Sequence, residues 1–151
     1  MERKRVFRRI LVGFDGSRDA CEALRAGAAL ASVAGGEVTV LVVVPTSHGE
    51  TEEDRREAFD AESMPLRAAA ERELTASSRG ETKSTVHVVA GDHPALSLAA
   101  YADERGFDLL VVGRHGRERA AHGGLGRMAR DLAEKAHCPL LLVGDGEPGE
   151  A

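Results

Sequence analysis

Residues 107–126, FDLLVVGRHGRERAAHGGLG, decide the fold of this chain. The run from Phe107 to Val112 is almost continuously apolar, which predicts a strand buried on both faces. Gly113-Arg114-His115-Gly116 follows it, then nine residues, then Gly126 at the start of an amphipathic helix. Glycines at such a junction permit positive φ and let backbone N–H groups approach a ligand closely. Because the first N–H groups of a helix are unpaired and its dipole favours negative charge, we expect this loop to hold an anion such as phosphate.

The loop is basic although the 151-residue chain is acidic, with a formal net charge of -5. Arginines outnumber acidic residues in this loop and in the helix that follows it. The arginines are Arg114, Arg117, Arg119, Arg127 and Arg130, and the acidic residues are Glu118 and Asp131. A positive loop in an acidic protein favours phosphate binding over a merely solvated surface.

Apolar runs and helical patterns alternate along the rest of the chain. Further strands are predicted at Ile10 to Phe14, Val38 to Val44, Val86 to Ala90 and Leu140 to Val143. Helices are predicted after Ser17 (an N-cap, with Asp19 in the first turn), from Leu66 to Ser78, from Pro94, and from Leu125 to Ala136. This alternation predicts an α/β fold, a single-domain open five-stranded parallel sheet with helices on both faces.

The predicted sheet brings two strand ends together. We expect a flavodoxin-like strand order, two-one-three-four-five, and ligands of such sheets lie beyond the carboxyl ends of the strands, where the order reverses. Asp15 follows strand one, and Gly113 ends strand four. Two independent features of the sequence therefore point to one crevice.

Three segments are expected outside this framework: a basic arm at residues 1–7, a variable acidic loop at 46–64 and a flexible tail at 144–151. The acidic run from Glu50 to Glu57 is interpreted as a solvated loop or helix face without a function. Pro65 either opens the helix that follows or kinks a longer one.

Composition argues against several classes of function. Aromatic residues make up 3% of the chain, too few for the rings on which single-stranded nucleic acid stacks, so no nucleic-acid partner is expected. No apolar run approaches the roughly 20 residues of a membrane span, and no signal peptide is recognisable, so no membrane partner is expected. Cys21 and Cys138 share no metal-ligand spacing, which indicates a reduced cytoplasmic protein.

Three more stretches carry a resemblance that spans nearly the whole chain: RILVGFDGS at 9–17, VAGDHPA at 89–95 and CPLLLV at 138–143. Together with residues 107–126 they closely resemble the universal stress protein family. Members that bind ATP carry Gly, two residues, Gly, nine residues, Gly, then Ser or Thr, and Gly113, Gly116 and Gly126 fit that spacing. The resemblance implies a Rossmann-like fold of the adenine nucleotide alpha hydrolase type that binds ATP or a related adenine nucleotide, with Mg at most as its counter-ion.

Arg127 stands where the ATP-binding relatives have Ser or Thr. In those relatives the hydroxyl helps neighbouring backbone N–H groups to hold the phosphates. Arg127 either grips a phosphate through a charge-assisted bidentate contact or fills the space and points to solvent. The sequence leaves both alternatives open.

The resemblance also assigns roles to other residues. Asp15 contacts the ribose or serves as a turn residue before the first helix, and Val43 matches the position whose backbone contacts adenine in relatives. N–H groups near Gly116, Gly126 and Arg127 hold the phosphates, and His115 touches a phosphate or faces solvent. The full expected cofactor-binding set is Asp15, Gly16, Ser17, Val43, Gly113, Arg114, His115, Gly116, Gly126, Arg127 and Met128.

No catalytic or metal-binding set is predicted, because Ser17 lacks a histidine partner in the sequence pattern and the histidines show no ligand spacing. The resemblance implies a cytoplasmic, adenine-nucleotide-binding regulator of the stress response that acts as a homodimer, and a slow ATPase is the least expected class. The alternative is a universal stress protein that binds no nucleotide and serves as a dimeric protein-interaction module, which Arg127 favours.

The last predicted strand, Leu140 to Val143, suggests how a homodimer would form. It is wholly apolar, and as the last element of an open sheet it is expected at an edge, where unpaired backbone groups invite strand pairing. A two-fold contact would pair this edge with its own copy, and the resemblance agrees. The alternative is an edge covered by the tail.

Overall fold

Five parallel strands form the centre of the computed structural model, which describes residues 7–77, 82–117 and 124–146. They are β1 (Arg9–Gly13), β2 (Glu37–Val44), β3 (Lys83–Ala90), β4 (Leu109–Gly113) and β5 (Leu140–Val143). Every neighbouring pair is parallel. The predicted α/β fold with an open five-stranded parallel sheet is therefore confirmed.

The strand order is β3-β2-β1-β4-β5, so the predicted flavodoxin-like order is wrong. That order places β3 inside the sheet beside β1, whereas β3 lies at an edge. The first part of β3 explains the difference, because Lys83, Ser84 and Thr85 are exposed and do not suit a strand buried on both faces. The fully buried β4 lies beside β1 instead. The order still reverses between β1 and β4, so their carboxyl ends are adjacent as expected.

Four helices in the described residues cover the two faces of the sheet: α1 (Arg18–Ala34), α2 (Glu52–Ser77), α3 (Pro94–Arg105) and α4 (Arg127–Lys135). Side chains alternate between the faces along each strand and so build two cores. Ile10 and Val12 pack with α1 and α2, whereas Leu11 packs with α3 and α4.

The starts of two helices match the sequence predictions. Ser17 Oγ accepts a hydrogen bond from the Ala20 N–H at 3.1 Å, so Ser17 is the N-cap of α1. Pro94 is the first residue of α3, a position where its missing N–H costs nothing.

The segment expected as an acidic loop is helical from Glu52 onward, so that expectation is wrong over most of its length. Thr51 Oγ1 accepts the Asp54 N–H at 3.0 Å, and Asp54 Oδ2 accepts the Thr51 N–H at 3.4 Å. This reciprocal pair resembles a capping box and starts α2. Pro65 lies inside α2, so the longer helix is the correct alternative. The acidic residues between Glu52 and Glu57 are exposed and form a solvated helix face.

Several expectations fall outside the described residues: those for the basic arm at 1–6, for Ser78, for Glu118 and Arg119, and for the tail from residue 147. Phe7, the last residue of the expected arm, packs against the core on the α1 side instead. Within the described ranges, no helix combines the length and the apolar character that a membrane span requires.

Candidate functional site

Two loops meet where the carboxyl ends of β1 and β4 lie side by side. In the first loop, Asp15 Oδ1 accepts the Ser17 N–H at 2.9 Å, and Gly16 between them has a φ of 84°, a conformation that favours glycine. The second loop brings Gly116 against the same carboxylate, since a Cβ added at Gly116 would lie 3.3 Å from Asp15 Oδ2. Asp15 therefore forms one wall of the crevice.

The loop after β4 closes on the start of α4. The Gly126 N–H donates to the Arg114 carbonyl at 2.7 Å, and the Arg114 N–H donates to the Val143 carbonyl at 2.9 Å. A Cβ at Gly126 would lie 3.2 Å from both Arg114 O and His115 Cα. Residue 126 is therefore held tightly against the backbone of the 114–116 segment.

Gly113, Gly116 and Gly126 serve close packing, and none of the three has a positive φ. Among the described residues, positive φ occurs at Gly16, Gly35, Gly106 and Gly146. A Cβ at Gly113 would lie 2.7 Å from Asp19 Cβ, so this glycine lets β4 approach the first turn of α1. The close approach of these glycines to the neighbouring backbone is therefore observed, and the expected close approach of their N–H groups to a ligand stays a prediction.

Backbone donors that have no acceptor in the described part of the chain include those of Gly116 and of the first turn of α4. Gly126 is the N-cap of α4 and has no side chain to accept a hydrogen bond, so Arg127 and Met128 carry N–H groups without acceptors among the described residues. The Gly116 N–H likewise has none in this part of the chain. The Gly126 N–H is already bonded to the Arg114 carbonyl, so the donors near Gly126 that can face a ligand are those of Arg127 and Met128. The helix dipole adds partial positive charge at this end of α4.

His115 is held by a buried carboxylate that the sequence interpretation assigned only to the first turn of α1. Asp19 Oδ2 lies 3.1 Å from the His115 backbone N and 2.9 Å from its ring Nδ1. The side chain of Asp19 is 2% exposed and that of His115 is 11% exposed. His115 therefore does not face solvent, and that alternative is wrong.

The arginines lie around the crevice in different directions. Arg114 is exposed and runs along the end of β5, where its Cδ would lie 3.2 Å from a Cβ at Gly144. Arg117 is exposed, and Arg130 Nη2 donates to the Leu125 carbonyl at 3.4 Å. Arg127 is exposed and borders a cleft of about 500 Å³ between α3 and α4. The lining of this cleft is Asp92, His93, Pro94, Ala95, Leu96, Arg127, Met128, Asp131 and Lys135.

Val43 lies near the carboxyl end of β2, the strand beside β1. Its side chain packs on the α3 and α4 side, and its Cγ1 would lie 3.4 Å from a Cβ at Gly91. Asp92 Oδ1 accepts the Thr46 N–H at 2.9 Å and ties the loop after β2 to the loop after β3. Val43 is therefore placed on the same edge of the sheet as the crevice.

The pKa shifts of this structure lie between α1 and α2. Burial raises the pKa of the Cys21 thiol, and the neighbouring Glu73 adds to the effect. The hydrogen bond to Glu73 likewise raises the pKa of Arg25. A thiol with a raised pKa stays protonated and is a poor nucleophile. In the described ranges, no three His, Cys, Asp or Glu side chains come close enough together to hold a metal ion.

A parallel sheet with a glycine-lined loop and a helix N-terminus at its switch point defines an α/β protein suited to an anionic ligand at this edge. The sequence model of the universal stress protein family matches residues 7–144. This match covers most of the chain, and the chain therefore belongs to the universal stress protein family. The resemblance seen in the sequence is confirmed.

Individual relatives agree with this assignment. The chain is 28% identical over 152 residues to universal stress protein YxiE of Bacillus subtilis (strain 168), and the alignment covers 91% of this chain and 99% of YxiE. The structure of universal stress protein UspA from Lactobacillus plantarum matches with a TM-score of 0.76 at 22% identity, over 93% of this chain and 99% of that one.

Several of the similar structures are nucleotide complexes. A universal stress protein in complex with cAMP matches with a TM-score of 0.74 at 22% identity, over 92% of this chain and 98% of that one. The universal stress protein from Archaeoglobus fulgidus in complex with dAMP matches with a TM-score of 0.67 at 23% identity, over 92% of this chain and 99% of that one. At these identities the likeness shows the fold.

Proposed function

We propose that this chain is a regulatory protein of the stress response that binds an adenine nucleotide in the crevice between the ends of β1 and β4. The observation that carries the proposal is that the N–H groups of Gly116 and of the first turn of α4 have no acceptor among the described residues and lie beside the Asp15 carboxylate. Relatives with the same fold are found in complex with cAMP and dAMP, which supports an adenine nucleotide as the ligand class.

The nucleotide lies across the crevice with its ribose on Asp15 and its phosphates on α4. Asp15 Oδ1 already accepts the Ser17 N–H, and a carboxylate keeps further acceptor capacity for ribose hydroxyls. The N–H groups of Gly116, Arg127 and Met128 hold the phosphates, and the end of β2 at Val43 holds the adenine. The ligand is ATP or a related adenine nucleotide, with Mg at most as its counter-ion. The protein acts in the cytoplasm through this bound state and not through turnover.

A second candidate function rests on Arg127. The exposed Arg127 stands where ATP-binding relatives have a small hydroxyl, and its side chain borders the cleft between α3 and α4. In this alternative the chain is a universal stress protein that binds no nucleotide and serves as a dimeric protein-interaction module.

Titration calorimetry with ATP, AMP and adenosine at low salt separates the two functions. Heat from ATP or AMP binding supports the nucleotide-binding function. An absence of heat up to millimolar ligand with magnesium supports the protein-interaction module instead. The supernatant of the denatured protein is analysed in parallel for co-purified adenine nucleotide by absorbance and chromatography.

Asp15→Asn tests the proposed pose of the ribose. Asn keeps an acceptor for the Ser17 N–H but lacks the negative charge, so we expect adenosine affinity to fall about tenfold, or ~1.4 kcal/mol. Asp92→Asn is the matched control, because Asp92 accepts the Thr46 N–H in a comparable way at the end of β3. Equal effects of the two substitutions on adenosine binding would mean that Asp15 does not contact the ribose.

The proposed homodimer forms through β5. This strand lies at the edge of the sheet, pairs with β4 and has four half-buried apolar side chains. Leu141→Lys with Val143→Lys should give a monomer in analytical ultracentrifugation because the charges would be buried in the contact. Thr85→Lys, on the opposite edge strand β3, should leave the dimer intact, and circular dichroism checks that each variant is folded. A dimer that survives the β5 substitutions would place the interface elsewhere.

A further inference from the structure

Asp19 and His115 form a buried pair directly beside the proposed phosphate position. The two residues are 96 positions apart in the chain, and a single oxygen, Asp19 Oδ2, receives both the backbone N–H and the ring Nδ1 of His115. His115 immediately precedes Gly116, whose N–H is one of the free donors of the crevice. This contact therefore fixes the His115 ring against the first turn of α1, one residue from Gly116.

This contact decides what the other ring nitrogen can do. Asp19 accepts a hydrogen bond, so Nδ1 carries the proton, and a neutral ring then has only a lone pair at Nε2. Nε2 makes no hydrogen bond to any of the described residues. A lone pair cannot donate to a phosphate oxygen, so Nε2 can contact a phosphate favourably only after the ring has taken up a second proton.

We propose that His115 takes up a proton when the phosphate of the nucleotide binds, and that Asp19 is the positioning residue that makes this coupling necessary. The proposal rests on the proposed function and adds its regulation by pH. Protonated His115 then donates from Nδ1 to Asp19 and from Nε2 to the phosphate, and such charge-assisted hydrogen bonds are stronger than neutral ones.

Charged groups occur on each of the elements that meet near His115. The loop after β1 contributes Asp15, whose Oδ2 lies against Gly116, and α1 contributes Asp19. The loop after β4 contributes Arg114 and Arg117, both exposed, and α4 contributes the exposed Arg127 at the cleft. Ser17 Oγ, which is neutral, lies 3.5 Å from the His115 carbonyl oxygen.

Cyclic AMP is the appropriate probe, because a phosphomonoester such as AMP titrates near pH 6 by itself and a phosphodiester does not. Calorimetry in buffers of different ionisation heat measures the protons taken up on binding. We expect up to about one proton per cAMP near pH 7, and an affinity that rises as the pH falls from about 8 to 6, by at most about tenfold per pH unit. Adenosine, which lacks a phosphate, should bind without proton uptake and with a flat pH profile.

Substitutions test whether the proton taken up on cAMP binding resides on the Asp19–His115 pair. His115→Gln should abolish the uptake and flatten the pH profile, and Asp19→Asn, which keeps the shape of the side chain, should reduce the uptake strongly while adenosine still binds. His137→Gln is the matched control, because His137 forms an exposed pair with Asp103 at 2.8 Å and should keep the full uptake. Nitrogen-15 NMR of the free protein reads the His115 tautomer directly, with the proton expected on Nδ1.

The outcomes separate this inference from the proposed function. If cAMP binds without proton uptake, or if the uptake persists in His115→Gln, this coupling is wrong and the nucleotide-binding function stands. A neutral ring protonated on Nε2 in the free protein would also overturn the coupling. If no adenine nucleotide binds at all, the proposed function fails and the coupling fails with it.

Discussion

The helices α1 and α4 both begin at the crevice, but their first turns are satisfied in different ways. In α1 the Ser17 hydroxyl accepts the Ala20 N–H, so the chain provides its own cap. In α4 the cap position is Gly126, which has no side chain to accept a hydrogen bond and is packed against the backbone of residues 114–116. Uncapped N–H groups are tolerated where water or a ligand can reach them. Under the proposed function, the start of α1 serves the fold and the start of α4 binds the phosphates.

The largest expected effect comes from adding one carbon at the open helix. In Gly126→Ala the new Cβ would lie 3.2–3.3 Å from three backbone atoms, which cannot move as a flexible side chain would. We expect the affinity for AMP to fall at least about tenfold, or ~1.4 kcal/mol. The free energy of unfolding should fall by about 1–3 kcal/mol because the site is overpacked. Calorimetry and denaturant unfolding measure the two quantities.

Gly124→Ala is the control for this substitution. It lies two residues earlier in the same loop, and the nearest atom to its added Cβ would be Arg130 Nη2 at 3.9 Å. We expect its AMP affinity and stability to stay close to those of the natural chain. Equal losses of affinity and stability in the two variants would mean that the loop is sensitive to substitution in general. The close packing of Gly126 would then not explain the loss.

The capped helix should respond in the opposite way. Ser17→Ala removes the acceptor for the Ala20 N–H and should lower the free energy of unfolding by about 1 kcal/mol. Nucleotide affinity should change less than about twofold, because the free donors of α4 are untouched. Ser17→Thr should restore the stability, since Thr is also a good N-cap. A loss of affinity larger than the loss of stability would give Ser17 a direct role in binding.

Local signals in the sequence were sufficient for much of the fold. Continuous apolar runs gave the strands, Ser17 and Pro94 gave helix starts, and the spacing of Gly113, Gly116 and Gly126 identified the loop that closes on α4. These features depend on residues close together in the chain, so a sequence displays them directly.

Features that depend on distant contacts could not be read in the same way. Predicting the strand order requires recognising that the polar start of β3 suits an edge strand although its end is apolar. Predicting the start of α2 requires recognising that Thr51 and Asp54 cap each other. Asp19 already had a sufficient explanation as an acidic residue in the first turn of a helix. Its contact with His115 exists only because β1 and β4 are neighbours in the folded sheet.

The smallest expected effect concerns Arg127, the first residue of the open helix. Its backbone N–H is present whatever the side chain is, so a substitution isolates the contribution of the guanidinium. The side chain is exposed, and an exposed charge contributes little because water and salt screen it. Arg127→Ala should therefore weaken ATP binding by about 0.5–1 kcal/mol and leave adenosine binding unchanged.

Arg127→Ser, which introduces the small hydroxyl of ATP-binding relatives, should recover the ATP affinity. Arg130→Ala, an exposed arginine on the same helix, serves as the control and should change neither ligand's affinity. Calorimetry at low and high salt distinguishes the alternatives, because a guanidinium that contacts phosphate loses its effect as salt rises. Equal losses for ATP and adenosine would place Arg127 outside the phosphate site, and the backbone N–H groups of α4 would then hold the phosphates without it.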